Sequence, residues 1–160
     1  MKPVRGKTKT RVKLMPLVSI LIPAFNAQDW IADTIQCAAA QTWPTKEIIV
    51  IDDGSTDQTL AIARRYVSGF VHVFTQNNAG AAAARNKAYA MSQGDYIQWL
   101  DADDLLAPDK IAKQMEVGLR ESKKTLLSSP WGYFYYRPKK AKGLPTVLWQ
   151  DLEPADWLFH

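Results

Sequence analysis

The chain has 160 residues, 47% of them hydrophobic, which is enough apolar material for one ordinary core and therefore one domain. No apolar run approaches the roughly 18 to 20 residues of a membrane span, because Asn26, Asp29, Asp52 and Asp95 break the candidates, so a membrane-spanning helix is excluded and a soluble chain expected. The formal charge of +4 gathers in Lys2, Arg5, Lys7, Lys9, Arg11 and Lys13, leaving a slightly acidic remainder that offers no argument for binding nucleic acid.

Residues 1–14 read as a basic leader, expected to be solvated and disordered. It has no aromatic residue to stack on bases, and the contact open to it is with anionic lipid, at about 1 kcal/mol per charge near a surface. The apolar segment Leu14 to Pro23 is short and lacks a small-residue cleavage pattern, so the expected location is the cytoplasm, with the inner face of the membrane within reach of the leader. The single cysteine, Cys37, cannot form an internal disulfide and reads as core beside Ala38 to Ala40.

From Pro16 onward strands alternate with helices, which predicts a parallel sheet. Leu17 to Ile22 is a continuous apolar and β-branched run, as in a strand buried on both faces, and Pro23 is expected to stop its ladder. Asn26 can cap the next helix, with Asp29 in its first turn and Trp30, Ile31, Thr34, Ile35 and Ala38 recurring on one face. Glu47 to Ile51 gives a second buried strand, closed by Asp52, Asp53 and Gly54. Ser55 or Asp57 then caps a helix carrying Leu60, Ala63 and Val67. Val71 to Thr75 is a third strand, and Gln76 to Gly80 a polar loop into an alanine-rich helix, Ala81 to Ser92, with Gly94 suited to its C′ position. Tyr96 to Leu100 is the fourth strand, and Pro108 opens a helix, Asp109 to Glu121. The core-forming part is thus residues 15–125; residues 126–160, aromatic and basic from Trp131 to Lys142, predict only short strands or loop.

In an open α/β sheet ligands bind at the carboxyl ends of the strands, and here those ends are polar. The first strand ends in Pro23, Ala24, Phe25 and Asn26, the second in Asp52, Asp53 and Gly54, and the fourth in Asp101, Ala102, Asp103 and Asp104. Close carboxylates repel one another, and keeping them together calls for a cation or a bound donor-rich ligand; as a cation, oxygen ligands favour Mg²⁺ or Mn²⁺. Asp101 and Asp103 share a pleat face if the strand is still extended there. The plainer alternative, acids that only cap the turn before Pro108, is outweighed by the second acidic strand end, although Asp104 fits a capping role. Asn78, Gly80, Arg85 and Asn86 form another polar group, a glycine turn entering a helix whose N-terminus favours phosphate, with Arg85 as a planar multi-donor cation. Phe25 either stacks on a nucleobase or staples the helix to the sheet.

The segments Val18 to Asn26 (VSILIPAFN), Gln41 to Asp57 (QTWPTKEIIVIDDGSTD), Asn78 to Asn86 (NAGAAAARN) and Gly94 to Asp104 (GDYIQWLDADD), in this order and spacing, resemble the N-terminal half of glycosyltransferase family 2. The resemblance implies a GT-A fold, a Rossmann-like three-layer α/β/α sandwich with a mostly parallel sheet, incomplete at its C-terminal end in this chain. It also implies transfer of a sugar from a nucleoside diphosphate sugar, UDP-linked by expectation, to an acceptor hydroxyl on a glycan or lipid-linked glycan, with inversion, as in cell-envelope polysaccharide synthesis. In that family Asp53 usually contacts the base, Pro23, Ala24 and Phe25 line the base pocket, Asp101 and Asp103 handle ribose, diphosphate and metal, and Arg85 lies near the nucleotide. The candidate donor site is therefore Pro23, Ala24, Phe25, Asn26, Asp53, Gly80, Arg85, Asp101, Ala102 and Asp103, with Asp103 and Asp101 as ligands of Mn²⁺ or Mg²⁺. Phe25 stands where the family often has tyrosine, and Ala88 where it often has glycine.

Members of the family generally carry another hundred or so residues with the acceptor site and catalytic base, which is expected beyond His160; nothing in the spacing of Asp151, Glu153 and Asp156 marks one of them for that role. The chain alone is thus expected to bind nucleotide and transfer sugar poorly. Two rivals remain: a non-catalytic binding or interaction module using Trp131 to Tyr136, and a nucleotidyltransferase, disfavoured because Pro23 to Gln28 replaces the glycine-rich basic loop such enzymes carry after the first strand. A dehydrogenase or a P-loop hydrolase would need glycine-rich signatures that the chain lacks.

Overall fold

The structure, a computed structural model, describes residues 15–120, 127, 129, 132, 133, 142 and 143. The chain divides into two compact units, Met1–Ala39 with Pro44–Leu105 and Ala40–Trp43 with Leu106–His160. In the first, strands β1 (Val18–Ala24), β2 (Lys46–Asp52), β3 (Val71–Thr75) and β4 (Tyr96–Trp99) alternate with helices α1 (Ile31–Ala39), α2 (Thr59–Arg64) and α3 (Ala81–Met91). The strands are all parallel and lie in the order β3-β2-β1-β4. In the second unit, α4 (Lys110–Gly118) begins after Pro108, and β5 (Gly132–Tyr133) pairs antiparallel with β6 (Lys142–Gly143). Buried Gln41 serves that unit's loop, donating to the carbonyl of Ala107 and accepting from the amide of Ile111. The basic leader, the aromatic side chains from Trp131 to Tyr136, and Asp151, Glu153 and Asp156 lie outside the described residues. Among those described, no helix is long and apolar enough to cross a membrane.

The continuous apolar runs of β1 and β2 fold as strands covered on both faces, and Ile20, Leu21, Ile22, Ile48, Val50 and Ile51 are fully buried. Leu21, Ile49 and Ile51 pack on Ala84 and Ala88 of α3, whose small side chains let the helix approach the sheet. The two-residue alternation sends Ile20, Ile22, Ile48 and Val50 to the opposite face, covered by α1 through Ile31, Ile35 and Ala38 and by α2 through Ala63. A three-layer α/β/α arrangement results.

Several local expectations give way. Pro23 does not end β1, which continues to Ala24 with Pro23 paired to Ile51. Odd residues of β1 bond towards β4 (Leu100 N–H to Leu21 O, Tyr96 N–H to Leu17 O) and even ones towards β2 (Val18 N–H to Thr45 O, Asp53 N–H to Ala24 O). The pairing with β4 stops at Leu21, so the missing proline N–H falls where no ladder bond is due. Asn26 does not cap α1; it sits in the left-handed region at φ 49°, and its side chain faces the loop after β2. Trp30 precedes the first helical turn and is 42% exposed, and Val67 lies beyond α2 at 56% exposure, so neither joins the core.

Gly94 is not the C′ residue of α3, whose C-cap is Ser92 in an extended conformation. Its need is close approach: a Cβ there would lie 2.7 Å from the amide nitrogen of Ser19 and nearer still to its hydroxyl oxygen. That hydroxyl accepts the Gly94 N–H and donates to Glu47 Oε1, which also accepts the Gln93 N–H, tying the α3–β4 turn to the sheet through a buried network. Gly94→Ala is expected to cost about 2 kcal/mol by overpacking backbone that cannot move. Gly69→Ala, with open space at its Cβ, should stay within about 0.5 kcal/mol of the parent in urea unfolding.

Candidate functional site

The strand order reverses direction between β1 and β4, and the carboxyl ends there open a crevice, the place where open α/β sheets bind ligands. A cavity of about 550 Å³ lies there, lined by residues 23–27 at and after the end of β1, Asp53 after β2, residues 101–103 after β4, Asn78 and Gly80, the first turns of α3, and Trp30. Its size suits a medium-sized organic ligand. Every residue of the candidate set, Pro23, Ala24, Phe25, Asn26, Asp53, Gly80, Arg85, Asp101, Ala102 and Asp103, lies on its wall.

Asp53 is the floor of the β2 side. Its Oδ1 accepts from Gln76 Nε2 (2.7 Å) and the Ala79 N–H (3.0 Å), its Oδ2 from the Gly80 N–H (2.8 Å), and Asn78 Nδ2 donates to its carbonyl (3.0 Å). Burial works to raise its pKa, but the hydrogen bonds from Gln76, Ala79 and Gly80 prevail and hold the carboxyl below its ordinary value. The amides at the mouth of α3, expected to greet a phosphate, are thus already taken in part by Asp53. Gly54 lets this happen: at φ 70° it turns the chain under the loop, and a Cβ would come within 2.7 Å of the Asn78 amide nitrogen. Asp52, expected at the same edge, is still within β2 and points to the other face. There its Oδ2 accepts from Thr75 Oγ1 and the Ser55 N–H, while its buried Oδ1 has no partner among the described residues.

Asp101 and Asp103 are brought together by a turn rather than by an extended strand. β4 ends at Trp99, and the Asp104 N–H closes the turn on the Asp101 carbonyl. Arg85 Nη2 meets Asp101 Oδ1 at 2.6 Å, with both side chains about half exposed. Asp104 is no helix cap, since Asp109 holds the N-cap position of α4; its carboxyl is pushed up first by burial and then by the charges of Asp103 and Asp101. The acidic turn therefore carries concentrated negative charge. Among the described residues no group of three or more His, Cys, Asp or Glu side chains forms a metal cage. Two hard carboxylates fit a cation that takes its remaining ligands from phosphate oxygens and water, as Mg²⁺ and Mn²⁺ do.

Phe25 is 51% exposed on the cavity wall, which decides against a staple between helix and sheet. Trp30 went unrecognised as a wall residue because helical spacing assigned it to the core face of α1, although it stands before the helix begins. Thr34 holds this end of α1 to the acidic turn, its Oγ1 donating to the Ala102 carbonyl at 2.8 Å. Gln76 was legible only as part of a polar loop; its role as an Asp53 donor needs the fold. Asn86, grouped with Arg85 in the sequence, is exposed and lines no part of the cavity.

The family model described as glycosyl transferase family 2 matches residues 19–150. The chain belongs to this family. It is 43% identical over 110 residues to a Bacillus subtilis protein named as a teichuronic acid biosynthesis glycosyltransferase, TuaG, covering 67% of this chain and 44% of that one. With the Escherichia coli chondroitin synthase it shares 39% identity over 117 residues, 72% of this chain and 16% of the synthase. The chain thus spans less than half the length of these relatives. Among solved structures, S. aureus TarS 1-349 in complex with UDP-GlcNAc superposes with a TM-score of 0.61 at 27% identity, over 66% of this chain and 32% of that one. The Pyrobaculum calidifontis mannosyltransferase PcManGT, in complex with GDP-Man and Mn²⁺, gives 0.59 at 27% identity over 65% and 32% of the two chains.

Proposed function

We propose that these residues form the donor side of a glycosyltransferase that moves a sugar, with inversion, from a nucleoside diphosphate sugar to an acceptor hydroxyl. The observation that carries the reading is one cavity holding both an exposed aromatic wall at Phe25 and an acidic turn at Asp101–Asp103. The membership in family 2, and the nucleotide sugars bound by TarS and PcManGT, support it.

In this reading the base lies against Pro23, Ala24 and Phe25. A carboxylate offers roughly four acceptor sites, and three protein donors fill Asp53, so about one remains for a base N–H. The imino N–H of uracil or guanine and the exocyclic amine of cytosine can each fill it, so Asp53 does not by itself choose the base; UDP, the nucleotide in the TarS complexes, is the donor proposed. A divalent cation at Asp103 and Asp101, Mn²⁺ by likeness to PcManGT, supplies Lewis-acid neutralisation of the diphosphate leaving group. Arg85 then holds Asp101 in place or turns its guanidinium to the diphosphate.

Calorimetric titration of the chain with UDP, GDP and CDP, with and without Mn²⁺, tests this. Binding of UDP strengthened by Mn²⁺ is expected; metal-independent binding, or none, would overturn it. Arg85→Gln separates fold from site: the exposed pair contributes at most about 1 kcal/mol to stability, so unfolding should barely change while UDP affinity falls about tenfold through the lost charge-assisted contact.

A further inference from the structure

The three residues after Phe25 lie before α1 starts at Ile31, and each gives its backbone N–H to a side chain of the loop after β2 or of the first residue of α2. Asn26 donates to Ser55 Oγ (3.0 Å), Ala27 to Thr59 Oγ1 (2.7 Å) and Gln28 to Asp57 Oδ2 (3.1 Å). The bonds are reciprocated: the Thr56 N–H donates to Asn26 Oδ1 (2.9 Å) and the Gln58 N–H to Gln28 Oε1 (3.1 Å). The Thr56 hydroxyl also donates to Asn26 Oδ1 (3.3 Å), so six bonds join segments about thirty residues apart. Asn26 tolerates the left-handed turn that the geometry demands.

Asp57 is the centre of the arrangement. Its Oδ2 serves Gln28 on one loop, while its Oδ1 accepts the Thr59 N–H (2.9 Å) and hydroxyl on its own, and the same Thr59 oxygen receives the Ala27 N–H. Burial raises its pKa, but the bonds from Thr59 and Gln28 outweigh that and keep it ionised. Ser55, Thr56, Asp57 and Thr59 do not line the cavity, whereas Asn26 and Ala27, which they hold, do, directly after Phe25 on the same wall.

We propose that Asp57, with Ser55 and Thr56, is a positioning residue for nucleotide binding, a clamp that fixes the β1–α1 loop so that Phe25 presents its ring to the base. The proposal rests on the nucleotide reading of the cavity. An aromatic side chain on an unclamped loop would have to be ordered at the moment of binding, and the clamp removes that cost beforehand.

A double-mutant cycle tests it. In the full chain with Mn²⁺, Asp57→Ala is expected to weaken UDP binding about tenfold when Phe25 is present and less than about twofold in a Phe25→Ala background. Affinity for Mn²⁺-pyrophosphate, which lacks a base, should stay unchanged, a readout that a general loss of structure would move. Amide exchange at Asn26, Ala27 and Gln28 should rise in Asp57→Ala. Equal losses in both backgrounds, a parallel loss for pyrophosphate, or unaltered UDP affinity would overturn the clamp alone. Failure of UDP to bind the unmutated chain would overturn the nucleotide reading and the clamp with it. Should Asp57→Ala not fold, Ser55→Ala, which removes a single acceptor, carries the same cycle with the same opposing outcomes.

Discussion

Asp103→Ala is expected to abolish the Mn²⁺ dependence of UDP binding, lowering affinity in Mn²⁺ about 100-fold while leaving metal-free affinity equal or slightly higher. Asp103 belongs to no ion pair among the described residues, whereas Asp101 already meets Arg85 at 2.6 Å, so Asp103 is the carboxylate free to bind a cation. A unit charge about 4 Å away in a protein-surface dielectric is worth about 4 kcal/mol. Solvent around these exposed side chains screens part of it, which leaves about 100-fold, or roughly 2.7 kcal/mol. Metal-free affinity should not fall, because the deletion relieves repulsion between the acidic turn and the diphosphate. Asp101→Ala should differ in a diagnostic way: it removes a weaker cation ligand and also releases Arg85, so the loss in Mn²⁺ is smaller and the metal-free gain larger. Titrations with and without EDTA check both. Unchanged metal dependence in Asp103→Ala would show that the cation, if any, sits elsewhere.

The strands, and the gathering of the candidate residues at the strand ends, were legible in the sequence because both follow from short-range patterning. β3 was expected at Val71–Thr75 and lies there, and every expected donor-site residue lines one cavity, since strand ends in a parallel sheet converge whatever the details of the helices. What failed was what depends on three-dimensional neighbours. The proline at 23 is harmless only because β4 is too short to pair with it. The side-chain amide of Asn26 had a nearby helix as its obvious use, and goes instead to Thr56, thirty residues on. Asp101 and Asp103 reach the cavity by another route than expected: the spacing of two fits a pleat face, but the chain has already turned, and the turn brings them to the wall. Asp52 shows the opposite error. Adjacent acids look alike in the sequence, yet alternation along β2 sends Asp52 under the sheet and leaves Asp53 to the cavity.

Asp53→Ala is expected to have the largest effect on the fold of the site, destabilising the chain by about 3 kcal/mol at pH 7 and weakening UDP binding beyond easy detection. Removing the carboxylate strands the Ala79 and Gly80 amides and the Gln76 side chain, and donors left unsatisfied near a buried position cost about 1–3 kcal/mol each before relaxation and water recover part of it. Asp53→Asn should recover only a fraction, because one amide oxygen can serve Gln76 and Ala79 while the amide nitrogen then faces the Gly80 donor. The effect carries a pH signature. The folded-state pKa of Asp53 lies below its ordinary 3.8, so the unfolded chain binds the proton more readily. The stabilisation is therefore fully present above about pH 4, near the unfolded value, and is lost as the pH falls through the folded one. Asp57 is lowered as well and titrates in the same acid range, so the informative quantity is the difference between parent and Asp53→Asn. In urea unfolding at a series of pH values that difference should be constant from pH 7 to about pH 5 and should narrow steadily below about pH 4. A gap that stayed constant into acid would mean that the Asp53 charge does not hold the loop. The loop's donors would then have to be satisfied by something other than the carboxylate that also limits the base to one remaining hydrogen bond.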